Sequence, residues 1–100
     1  VQLGLLAGDH ERRFLRMNEL ERDVHDYILK EFLPGEDPEA LEADTPLISG
    51  GILDSISTLK LVVFLEERFG VRVDAHEAGI DHLNSIGQIV ALIERKQAAA

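Results

Sequence analysis

Leu20, Val24, Ile28 and Phe32 recur every four residues, with Glu19, Arg22, Asp23, Asp26 and Lys30 largely off that line. This period places the apolar set on one face of a helix. Asn18-x-x-Glu21 has the form of a capping box with Asn18 as N-cap, and the breaker pair Pro34-Gly35 predicts a stop near Leu33. A second helix is predicted from Ser55 to about Phe69, with Gly70 as its stop. Its run Leu61 to Leu65 is apolar all round, too wide for a one-sided helix. Packing on two sides of a bundle would explain it, as would a cavity or a docking patch. Ile86, Ile89, Val90 and Ile93 predict a last helix that ends near Lys96, with residues 97–100 frayed. Ser85-x-x-Gln88 reads as its capping box.

The connections differ in character. Residues 34–53 carry Pro34, Pro38, Pro46 and the acids Glu36, Asp37, Glu39, Glu42 and Asp44, which predict a long loop. Leu41, Leu47 and Ile48 are candidates to pin it to the core. Val71 and Val73 alternate with Arg72, but a run this short cannot sustain a sheet, so the stretch reads as loop. A short helical turn is expected within Ala75 to Leu83. The resulting class is all-α: a small antiparallel four-helix bundle of three main helices and one short one. Residues 1–16, with Gly4, Gly8 and the cluster Arg12, Arg13, Arg16, read as a disordered extension before a start at Met17, or as an additional helix using Phe14 and Leu15. Residues 17–97 form the domain.

Composition narrows the function. One hundred residues make one domain with little room for a large enclosed active site. The net charge of −9 disfavours nucleic acid and anionic membranes as partners. There is no cysteine, so the chain has neither disulfides nor a thiol for thioester chemistry. No run approaches the length of a membrane span, and a cytoplasmic address is expected.

The candidate chemistry sits at Gly51-Ile52-Leu53-Asp54-Ser55-Ile56. Asp54 is a good N-cap, able to accept from the Ser57 N–H, and Ser55 follows as the first helical residue. A helix start has unpaired N–H groups and a positive dipole end, which suit an anion on the Ser55 hydroxyl. Asp-Ser also opens many helices as a plain cap.

Asp54 to Phe69 resembles the start and body of the second helix of acyl carrier proteins. Leu65-Glu66-Glu67-Arg68-Phe69-Gly70, Val71-Arg72-Val73, Asp44-Thr45-Pro46-Leu47 and Asn84-Ser85-Ile86-Gly87-Gln88-Ile89-Val90 are similar to the family as well, in the right order from about Asn18 to Lys96. The resemblance implies that Ser55 receives 4′-phosphopantetheine from coenzyme A, through a magnesium-dependent phosphopantetheinyl transferase. The serine oxygen would attack the β-phosphate, with Asp54 helping to present the serine and the metal. It implies a carrier and not an enzyme, working as a monomer with a loading ligase and acyltransferases. By the same resemblance the bundle interior holds the acyl chain, and Leu59, Val62, Leu65 and Phe69 line it. Ile56, Ser57, Lys60, Val63, Glu66 and Glu67 face partners.

Ser57, Lys60 and Arg68 stand where the housekeeping fatty-acid pattern has acids, which implies a specialised carrier in a fatty-acid, lipid or polyketide-type pathway. The Gly-Ile-Leu-Asp-Ser-Ile form also resembles D-alanyl and other aminoacyl carriers. A helical interaction module, with Ser55 an ordinary cap or a kinase target, is the competing class. His76, Glu77 and His82 lie close in sequence but lack metal-site spacing and read as solvated surface; no metal is expected. No Gly-x-Ser-x-Gly elbow surrounds Ser55, and no Walker loop precedes it. His10 and His25 have no partner that the sequence identifies.

Overall fold

The computed structural model describes residues 18–99, and the expectations for residues 1–16 lie outside that range. Among the described residues four helices follow one another: α1 (Glu19–Phe32), α2 (Ser55–Phe69), α3 (Ile80–Leu83) and α4 (Ile86–Ala99). Two 3₁₀ turns, Pro38–Ala40 and Ala75–Glu77, interrupt the connections. The described residues contain no strand, and Val71–Val73 is loop. The architecture is the helical bundle that the periodicity predicts.

The α1 capping box forms in full. The Glu21 N–H donates to Asn18 Oδ1 at 2.8 Å, and the Asn18 N–H donates to Glu21 Oε1 at 3.3 Å. The helix packs mainly on α4 and buries Val24 and Ile28 completely. Its edge meets α2 through Tyr27, stacked on Phe64 with ring centroids 3.9 Å apart. Arg68 on α2 reaches back to Asp23 on α1 at 2.8 Å, so the cation at this position holds two helices together.

At the second helix the apolar run divides between two neighbours and solvent. Leu61, Val62 and Leu65 enter the core, Phe64 goes to the Tyr27 side, and Val63 stays outside. Gly70 ends the helix in the left-handed region, at φ 67°. A residue with a Cβ resists that conformation.

α4 differs from expectation in two ways. Only half of its capping box forms: the Gln88 N–H donates to Ser85 Oγ at 3.1 Å, but Gln88 Oε1 accepts from the N–H of Asn84 rather than Ser85. The helix also continues through Ala99, past the predicted end at Lys96. Lys96 is held there by Glu77 at 2.7 Å, which anchors the turn that the sequence left to fray. Leu92, absent from the predicted face, is 1% exposed and belongs to the core.

The long loop is ordered by its borrowing of the α4 start. The otherwise unpaired N–H of Gly87 donates to the Ala43 carbonyl at 2.9 Å, and the Leu47 N–H donates to the Asn84 carbonyl at 2.7 Å. The Gly87 donor lies in the first turn of α4, where N–H groups have no partner within the helix, while the Leu47 bond ties the loop to the C-cap of α3. Leu41, Leu47 and Leu53 fill the core from the loop, while Ile48 is partly buried.

Candidate functional site

Ser55 opens α2 and is exposed beside the exposed cap Asp54. The Ser57 N–H donates to Asp54 Oδ1 at 2.8 Å, and the Thr58 N–H donates to the Asp54 carbonyl at 2.9 Å. Hydrogen bonds from the Ser57 backbone, then from its side chain, hold the Asp54 carboxyl below the usual carboxylate range. Asp54 therefore remains an anion near neutrality, at the positive end of the helix.

Two open clefts lie along α2, one of them at this corner. That one, of about 510 Å³, is bordered by Asp54, Ser55, Thr58, Val62, Ala78 and Gly79, and by Ile48. The other, of about 430 Å³, is lined along the outer face of α2 by Ile56, Leu59, Lys60, Val63, Phe64 and Glu67, and by Tyr27 of α1.

Ile56 and Val63 are 69% and 47% exposed, so they stand on the outer face. Val62 and Leu65 are buried, and Phe69 is half-buried against the core. Leu59 corrects the interior expectation: it is 65% exposed and borders both clefts, while Leu61 takes the buried position. An apolar stretch leaves open which of its leucines, Leu59 or Leu61, faces inward. The Glu66 carboxylate accepts the Val73 N–H at 2.9 Å, which ties the loop after α2 to the helix. Lys60 and Glu67 are exposed, and Ser57 is half-buried.

Tyr27 borders the outer cleft and was not picked out from the sequence. Its hydroxyl donates to the Lys60 carbonyl at 3.2 Å. Burial, then the nearby Glu31 charge, pushes its pKa up. The spacing Leu20, Val24, Tyr27 is itself helical and could have flagged it.

Away from the corner, ligand-type atoms of Asp74, His76 and Glu77 lie within 4.8 Å of one another; His82 is not in the group. Glu77 is committed to the fold. Lys96 bridges it, the Asp74 N–H donates to it, and these hold its carboxyl below the usual range in that order. His25, 4% exposed, places Nε2 3.0 Å from the Pro38 carbonyl and so joins α1 to the first 3₁₀ turn.

Fold and corner together define a class: a small helical bundle that presents an exposed serine on a capped helix start, beside an open cleft. Residues 28–93 match the family described as phosphopantetheine attachment site, and the chain belongs to that family. 4′-Phosphopantetheine, held covalently, is the cofactor of such domains.

The D-alanyl carrier protein of Streptococcus pyogenes serotype M5 (strain Manfredo) is 39% identical over 56 residues, which are 56% of this chain and 71% of that protein. The proteins of the same name from serotypes M49 (strain NZ131) and M1 match to the same extent. A chain in a solved structure described as a crystal structure of an FAD-dependent dehydrogenase has a TM-score of 0.64 and 31% identity. That match covers 70% of this chain and 97% of the other. No helix among the described residues is long and apolar enough to cross a membrane.

Proposed function

We propose that this chain is a carrier protein, not an enzyme, and that Ser55 is its point of phosphopantetheine attachment. The observation that carries this reading is the exposed Ser55 on the capped start of α2, within the span that matches the family. The residues fit the group. Ser55 is exposed, and Thr58, Val62, Ala78 and Gly79 line the cleft beside it. When bound, the arm supplies the thiol that a chain without cysteine lacks.

In the loading reaction the Ser55 Oγ forms a bond to the β-phosphorus of coenzyme A. The bond from that phosphorus to 3′,5′-ADP breaks, and the hydroxyl proton goes to a base of the transferase. Asp54 adds a second anion at the same corner, and the pair suits a divalent cation during transfer.

The likeness to D-alanyl carrier proteins supports an aminoacyl cargo over the fatty-acid, lipid or polyketide reading. An adenylating ligase is then the loading partner. Acidic surface around the bundle favours basic faces on such enzymes. Intact mass after incubation with coenzyme A, magnesium and a broad-specificity phosphopantetheinyl transferase tests the attachment. One added phosphopantetheine, absent in Ser55→Ala, is the expected result. No gain in a folded, initially unmodified chain would favour the interaction-module reading.

The likeness to a chain of the dehydrogenase structure supports a second reading, in which an FAD-dependent dehydrogenase is a downstream partner. Two electrons would then pass from the carried group to the flavin. Bleaching of the oxidised flavin by the loaded carrier, and not by the unloaded one, would be its signature.

A further inference from the structure

Asn84, at the end of α3, is bonded to the approach to Ser55 from across the sequence. Its Oδ1 accepts the N–H groups of Ile48 at 2.8 Å and Ser49 at 2.9 Å. Its Nδ2 donates to Ser49 Oγ at 3.1 Å. Its carbonyl accepts the Leu47 N–H at 2.7 Å, and its own N–H donates to Gln88 Oε1 at 2.7 Å, which seats it on the first turn of α4.

The held segment leads directly into the corner. The Leu47 carbonyl accepts the Leu53 N–H at 2.9 Å, and the Ile48 carbonyl accepts the Gly51 N–H at 3.1 Å. Leu53 precedes the cap Asp54, so a shift at 47–49 is transmitted through one hydrogen bond to the residue that starts α2. Ile48 also borders the cleft beside Ser55. The carrier reading makes no use of Asn84, yet its side chain joins the loop, the cleft wall and α4.

We propose that Asn84 is a positioning residue for modification of Ser55: by tying Leu47, Ile48 and Ser49 to α4, it holds Asp54 and Ser55 in one presentation to the transferase. This role rests on the carrier reading of Ser55. Without the tether the loop samples other arrangements, and the transferase binds only the fraction that retains the competent one. An equilibrium ahead of binding raises KM and leaves kcat unchanged.

The test is the rate of phosphopantetheine gain, followed by intact mass over a range of carrier concentrations. Asn84→Leu keeps the size of the side chain and leaves the Ile48 and Ser49 N–H groups without their acceptor. Loss of three hydrogen bonds, from the Ile48 and Ser49 N–H groups and to Ser49 Oγ, predicts a rise in KM of at least about tenfold, with kcat retained. Asn84→Asp keeps an acceptor for both amides and should return KM to within about twofold of wild type. Lys96→Met cuts a different tether of α4 and should leave KM unchanged.

Wild-type kinetics in folded Asn84→Leu would overturn the role, as would an equal rise in Lys96→Met. Should Asn84→Leu fail to fold, Ser49→Ala carries the test: it removes the Nδ2 acceptor from an exposed side chain and should raise KM about twofold. No modification of the wild-type chain would overturn the carrier reading itself, and this role with it. A modified wild type with an indifferent Asn84 would overturn the role only.

Discussion

Gly50→Ala should be among the most damaging small substitutions in the chain. A Cβ at position 50 would fall inside the contact distance of the Pro46 carbonyl oxygen and 3.3 Å from Pro46 Cγ. Backbone cannot swing aside as a flexible side chain would. Pro46 precedes Leu47, whose N–H is held by Asn84 at 2.7 Å and whose carbonyl is held by Leu53 at 2.9 Å. Relief of the overlap has to stretch one or both of these bonds and unseat the fully buried Leu47 side chain.

Two weakened hydrogen bonds at about 1 kcal/mol each, with some loss of packing, give a cost of about 2–4 kcal/mol. A domain of this size has roughly 4–12 kcal/mol of total stability to lose. Gly51→Ala is the internal comparison. Its site has open space around a Cβ but a φ of +84°, so only backbone strain of about 1–2 kcal/mol applies. Urea unfolding followed by far-UV circular dichroism measures both. With a slope near 1 kcal/mol per molar, the midpoint should fall by about 2–4 M for Gly50→Ala and by about 1–2 M for Gly51→Ala. The same slope in both variants would attribute the change to the folded state. Equal midpoints, or a larger fall in Gly51→Ala, would refute the reasoning.

Acid should expose the work of Asp54. Its carboxyl lies below the usual range when folded, so its stabilising contribution is complete above the unfolded value near 3.9 and is lost as pH falls through the lower folded value. Asp54→Asn keeps a neutral cap. Tm plotted against pH should therefore show a constant gap between wild type and variant above about pH 5 and a narrowing one below about pH 4. A gap of constant width down to about pH 2.5 would contradict this. Leu92→Ala should cost about 2–5 kcal/mol by denaturant unfolding, since the residue is 1% exposed. Leu59→Ala, 65% exposed, should stay within about 0.5 kcal/mol. The reverse order would return Leu59 to the interior. Glu77 should titrate by NMR closer to the ordinary carboxylate range in Lys96→Met than in wild type, because the hydrogen bond from Lys96 is the largest cause of its lowered value.

The helices were legible wherever local chemistry decides them. Asn18 and Glu21 cap α1 as their spacing requires, Asp54 caps α2 through Ser57, and Gly70 stops it. These interactions span at most four residues, so the order of amino acids suffices to specify them. The candidate corner is local in the same sense: Asp54 and Ser55 are neighbours, and their place at a helix start follows from the residues on either side.

Matters that depend on packing were out of reach. The apolar run Leu61–Leu65 leaves open which of Leu59 and Leu61 faces inward, and the bundle buries Leu61 and exposes Leu59. Glu66 reads as a surface acid until the Val73 N–H is found beside it. Lys96 reads as a helix end until Glu77 holds it in place. Period and capping specify that α2 and α4 exist and where α2 begins. The tether of Asn84 to Ile48 and Ser49 came only from the tertiary structure, because it joins residues more than thirty positions apart and leaves no periodic trace in the chain.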